Sequence, residues 1–215
     1  MDRLGDALES LHMSTDRVLQ SNGLAAITSR FTQVNMNQST ELVTNAEVLN
    51  CRLLPFDFRD VGQALWYEIT KNYIAYETKR GQPPKIREDG SIRQAFTMEL
   101  DDDGVPTKIQ FRYVGDRKIE QNRQVVVLSG QNQLVQYLGK TTDGAHIKEK
   151  FWFVLSEMRP GVTVAKICTD MSIQFDCAAP NHQQFIDRFC GLLVRDKQLG
   201  LESAFQGIEH SLILV

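Results

Sequence analysis

Residues able to do acid–base, nucleophilic or metal chemistry are present in this chain, but no familiar motif gathers them. Its four histidines, His12, His146, His182 and His210, are scattered. Two read as exposed helix positions, one stands beside a strand start and one near a helix start. His146, at the mouth end of a predicted strand, has the strongest claim on a ligand. No G-x-S-x-G elbow, phosphate-cradling glycine loop, H-E-x-x-H or dinucleotide fingerprint occurs, so no catalytic residue and no cofactor is assigned. The cysteines Cys51, Cys168, Cys177 and Cys190 lack the close pairing and neighbouring histidines of a zinc site. The run Asp101-Asp102-Asp103-Gly104 lacks the ligand spacing of a calcium loop and reads as a solvated turn. The remaining candidates are groups that orient a ligand by hydrogen bonding, namely Tyr113, Tyr137, Arg112 and Lys166. Strand parity sets Arg112 and Lys166 opposite the apolar rows of their strands, which assigns both to a solvated face.

Composition narrows the functional classes. The chain has 215 residues, 42% apolar and 24% charged, the balance of an ordinary globular protein. A net charge of −3 argues against a nucleic-acid surface, which needs clustered lysine and arginine to displace counterions. No stretch approaches the roughly 20 apolar residues of a membrane span, so no integral membrane segment is expected, and only transient membrane contact stays open. Each cysteine lies in or beside an apolar stretch, where a reduced thiol behaves as a small hydrophobe. The expected location is therefore cytoplasmic.

The elements follow from hydrophobic period. Leu4, Leu8, Leu11, Thr15 and Val18 form one stripe of an amphipathic helix, and Ser21 to Ser39 reads as a connector. That stripe needs a partner: this domain, a second copy in a homodimer, or a coiled coil continued upstream, which two heptads are too few to establish. A strand is predicted from Thr40 to Leu54 and stops at Pro55. Asp57 then caps a helix carrying Phe58, Val61, Leu65, Ile69, Tyr73 and Tyr76, expected to end near Gly81. The period next changes to two. Ile92 to Leu100 and Ile109 to Tyr113 make a hairpin, followed by strands at Gln124–Ser129, Leu134–Leu138, Ile147–Glu157 and Val162–Phe175. A closing helix starts near Asn181, and Gly200 is expected to break or kink it.

This order, with VLNCRLLPFDFRDVGQALW running from strand to helix and FWFVLSEMRPGVTVAKICTDMSIQF forming a late hairpin, resembles START-like domains of the helix-grip superfamily that includes the major birch pollen allergen. The likeness is nearest to START-like domains of oomycete proteins, including the mating-specific group. The resemblance covers about Thr40 to Val215. It implies an α+β helix-grip fold in which a curved antiparallel sheet of about seven strands wraps a long C-terminal helix. Residues 1–39 would then form an extra N-terminal helix and connector, and residues 40–215 the START-like domain. It also implies a cavity for a hydrophobic small molecule of the lipid or sterol class, for transfer or sensing, and no transferable catalytic set. The expected lining is Phe96, Met98, Phe111, Tyr113, Phe153, Ile167, Met171, Phe185 and Phe189. The alternative is a regulatory or protein-interaction domain whose cavity is closed by large side chains. An enzyme of the cyclase or hydrolase kind ranks third.

Overall fold

The structure, a computed structural model, describes residues 3–70, 79–81, 85–101, 106–137, 140–176 and 182–214. The chain opens with α1 (Arg3–Ser21) and a short 3-10 turn (Leu24–Ala26), then forms the hairpin β1 (Phe31–Thr40) and β2 (Val43–Leu54). Helix α2 (Phe58–Thr70) follows, then β3 (Lys79–Gly81), β4 (Lys85–Ile86), β5 (Ile92–Asp101), β6 (Pro106–Ile119), β7 (Arg123–Tyr137), β8 (Lys140–Arg159) and β9 (Val162–Phe175). The last element is α3 (His182–Ile213). The strands make one antiparallel nine-stranded sheet in the order β1-β2-β9-β8-β7-β6-β5-β3, with β4 also on β5. This is the α+β helix-grip architecture, a curved sheet holding a long terminal helix.

Local chemistry explains the punctuation. The Asp57 carboxylate accepts the Arg59 backbone N–H at 2.8 Å and starts α2 after Pro55-Phe56. Gly161, at φ +73, makes the reversal between β8 and β9, where a side chain would be strained. Register shifts interrupt the ladders at Lys108/Ile109, Leu134/Gln136 and Glu157/Arg159. Such irregularities bend and twist long strands, which is how strands of up to 20 residues curl around a helix.

Strand parity separates two cores. Inner-face residues such as Phe96, Phe111, Val126, Phe153, Ile167 and Phe175 meet Val61 and Leu65 of α2 and Phe189, Leu193 and Phe205 of α3. On the outer face Val125, Val127, Trp152, Val154 and Val164 are covered by Leu8, Leu11, Leu19 and Leu24. The apolar stripe of α1 is therefore spent on this chain's own sheet rather than offered to a second copy. Trp152 fastens it, its indole N–H donating to the Leu11 carbonyl at 3.0 Å.

Several expectations need correction. The segment read as a connector contains β1, a full edge strand whose polar residues hid it because neither face is buried. Helix α2 does not run to Gly81, because Lys79–Gly81 pairs with β5 as β3. Tyr73 and Tyr76 lie outside the described residues. Gln124–Ser129 and Leu134–Tyr137 belong to one strand, β7, continuous through Gly130, and Leu138 lies outside the described residues. Helix α3 passes Gly200 without interruption over 32 residues. Among the described residues the sheet has nine strands, and the seven of ten residues or more agree with the expected curved sheet of about seven.

Candidate ligand-binding site

The nine residues predicted to line a cavity all fall on elements that face the interior. Phe96, Met98, Phe111, Tyr113, Phe153, Ile167 and Phe189 belong to the inner core, with Phe185 half-buried against it. Met171 lies beside them in a small cluster with Ala46, Val48 and Val194. Their rings touch one another. Phe96 stacks on Phe111 with centroids 5.1 Å apart, and Phe111 lies 5.9 Å from Tyr113, which meets Phe151 edge-on at 5.9 Å. At the start of α3, Phe185 packs edge-on against Tyr137 at 4.8 Å and Phe175 at 5.5 Å, and stacks on Phe189 at 5.7 Å.

One transverse row of this interior is polar. Gln94 pairs with Tyr113, Tyr113 with Gly130, and Gly130 with Glu149, so four adjacent strands place these positions side by side on the inner face. Gly130 is required there. A Cβ at that position would collide with the Tyr113 ring, which lies across the glycine. The phenol thereby reaches over β7 and donates to Glu149 Oε2. Asn132, next inward-facing residue of β7, donates its amide to the Tyr113 oxygen at 3.3 Å.

Helix α3 supplies the counter-charge. Lys197 occupies the stripe between Leu193 and Leu201, and its Nζ sits 3.2 Å from Glu149 Oε1 and 3.4 Å from the Tyr113 oxygen. The side chains of Lys197 and Glu149 are only 8% and 0% exposed, so the ion pair is desolvated. The ammonium also lies 4.9 Å from the Phe111 centroid and 5.6 Å from that of Phe151, within cation–π range. Glu149 Oε1 is at ion-pair distance from Lys197 but accepts no hydrogen bond, and the Gln94 Nε2 amide on the same row donates none among the described residues. The arrangement offers an ion-paired carboxylate oxygen with its hydrogen-bond capacity unused, beside an ammonium donor and enclosed by aromatic rings.

Glu149 and Lys197 were not singled out from sequence. Their signal is a polar residue in phase with an apolar row: Glu149 between Ile147 and Phe151, Lys197 between Leu193 and Leu201. The outward candidates stay outside. Arg112 is exposed, and Lys166 donates to the Ala25 carbonyl at 2.6 Å on the α1 side of the sheet. His146 is exposed, with its ring nitrogen 3.5 Å from Asp176. Burial pushes the Cys190 thiol up to about 12 and raises those of Cys168 and Cys51, so these three thiols are not nucleophiles. Among the described residues no group of histidine, cysteine and carboxylate side chains could hold a metal ion, and no helix is long and apolar enough to cross a membrane.

No family model and no curated protein matches the chain. Solved structures do. Human STARD10 shares 8% identity at a TM-score of 0.48, over 90% of this chain and 79% of that one. A START superfamily protein from Mycobacterium smegmatis shares 13% at a TM-score of 0.41, over 77% and 98%. A conserved protein from Geobacillus kaustophilus shares 9% at a TM-score of 0.45, over 78% and 93%. The helix-grip architecture itself rests on this chain's own connectivity, a long antiparallel sheet closed on a C-terminal helix.

Proposed function

We propose that this domain binds an apolar small molecule bearing a hydroxyl group, of the lipid or sterol class, between the sheet and α3. The observation that carries the reading is the Tyr113–Glu149–Lys197 set buried at the centre of an aromatic interior. A buried ion pair stabilises a core no better than well-packed apolar residues would, so three polar side chains at that depth call for a purpose. Ligand pockets combine an apolar wall with a few polar groups that fix orientation. A hydroxyl both donates and accepts, so it matches the open Glu149 Oε1 acceptor and the adjacent Lys197 ammonium together. A carboxylate would oppose Glu149, and a ketone would leave Oε1 unmet. Phe96, Phe111, Phe153 and Ile167 enclose the apolar part.

A second reading has one observation in its favour. Ring contacts between the sheet and α3, Tyr137 with Phe185 and Phe175 with Phe189, fit a closed domain that works by binding another protein through its surface. A titration with fluorescent analogues of a sterol, a long-chain alcohol, a fatty acid and a methyl ketone of equal length separates the two. The ligand reading expects saturable uptake that favours the alcohols. No uptake of any analogue favours the closed domain, and preference for the acid contradicts the assigned polar contact.

A further inference from the structure

We propose that the outer edge of β1 is the contact surface between two copies of this chain, paired antiparallel about a two-fold axis at Asn35. Strand β1 ends the sheet, bound to β2 on one side and to no described strand on the other. Nine of its ten residues are exposed, so neither face is covered. Natural edges are blunted by shortness, charge or proline. The opposite edge follows that rule, with strands of three and two residues whose sequences carry Lys79, Arg80 and Lys85. The sequence Phe31–Thr40, FTQVNMNQST, has neither a charge nor a proline.

The edge is also self-complementary. A two-fold axis normal to the sheet pairs residues of like parity, so each face meets itself. With the axis at Asn35, Val34 lies opposite Met36 of the second copy and Met36 opposite its Val34. These are exposed apolar residues, 36% and 47% accessible, on the same face as their β2 partners Val48 and Ala46. The other face sets Asn35 against Asn35 and Gln33 against Asn37, uncharged pairs throughout. Moving the axis one residue to Met36 would instead set Val34 against Gln38. The register shift between Gln38 and Thr40 limits regular pairing to the segment before it. Just past each end, the exposed Arg30 of one copy faces the Thr40–Glu41 end of the other, so opposite charges meet at both margins. Pairing along one strand buries less than the ~1,200 Å² of a stable specific interface, so the dimer is weak and concentration-dependent.

Sedimentation equilibrium of the full chain across micromolar to high-micromolar concentrations reads this out as a reversible monomer–dimer equilibrium. Val34→Lys with Met36→Lys places four ammonium groups around the axis and raises the dissociation constant by at least about 10-fold, while Ile119→Lys, exposed elsewhere, leaves it unchanged. Because the double lysine variant could weaken β1 itself, Asn35→Cys in a Cys177→Ser background gives an independent reading. Oxidation should join two copies through residue 35, whereas Gln131→Cys on mid-sheet β7 stays unlinked. A chain monomeric at every concentration, a dimer that survives both lysines, or an Asn35→Cys variant that does not cross-link would overturn the proposal.

Discussion

Glu149 and Lys197 divide their energetics between stability and recognition. Replacing Lys197 with Met leaves a buried carboxylate without its counter-charge, a change that typically costs about 3–5 kcal/mol. Replacing both, with Glu149→Leu and Lys197→Met, removes the desolvated pair together and is expected to be neutral or stabilising by up to about 4 kcal/mol. Urea denaturation of the two variants checks the ordering, and the double variant should also lose the preference for alcohols over equal-length alkanes. A double variant as unstable as the single one would mean that the pair itself holds the grip together. The sequence exposed the apolar lining of this site but not its polar centre. Alternation shows which residues face inward, as with Phe96, Phe111 and Ile167, and it registers Glu149 only as a break in a pattern. Nothing local connects Glu149 to Lys197, which comes from a helix 48 positions later. Nor does the sequence say that Gly130 is the gap through which Tyr113 reaches between them.

At the scale of elements, α1 is a strap on the outer face, and one of its fastenings is pH-sensitive. His12 of α1 lies 3.1 Å from Asp116 of β6, with its side chain only 5% exposed. Burial holds its pKa below the ordinary value of 6.5, with Asp116 pulling it up and Lys118 adding to the depression. The folded state thus binds its proton less readily than the unfolded chain. This contribution to stability is complete above about pH 6.5 and is lost as pH falls through the lower folded value. The neighbouring Glu9–Lys118 and Asp16–Arg123 pairs hold α1 by carboxylates whose pKa values are lowered, so they stay ionised over that range. Once the intrinsic slowing of amide exchange at lower pH is divided out, protection of α1 should fall between pH 7 and pH 5, and His12→Gln should remove most of that dependence. Unchanged protection in the native chain would show that His12 does not hold the helix. Period and punctuation made most elements readable: the amphipathic stripe of α1, the alternation of β5, β6 and β9, the late hairpin of β8 and β9. They failed where burial is absent or interrupted. Strand β1 has no hydrophobic face to alternate, β7 was divided at Gly130, and Gly200 could not break a helix held on both sides of it by Leu193, Leu201 and Phe205.

On the scale of the whole molecule, the same sheet serves three surfaces. Its outer face is closed by α1, its edge strand is open for a second copy, and its inner face meets α3 around one polar row. Each surface depends on different residues, so changes at one should leave the others intact. Substitutions on β1 are not expected to alter ligand uptake, and the Glu149–Lys197 variants are not expected to alter association. The central claim concerns the inner face, where rings that touch must part to admit a guest. Photo-cross-linking with a long-chain alcohol carrying a diazirine near its hydroxyl, followed by peptide mapping, tests it most directly. Adducts are predicted on the inner rows of β5 to β8 and on α3 around Lys197, competed away by unlabelled alcohol and reduced in the double variant. Labelling confined to the outer surface, or labelling that unlabelled alcohol does not reduce, would contradict the account.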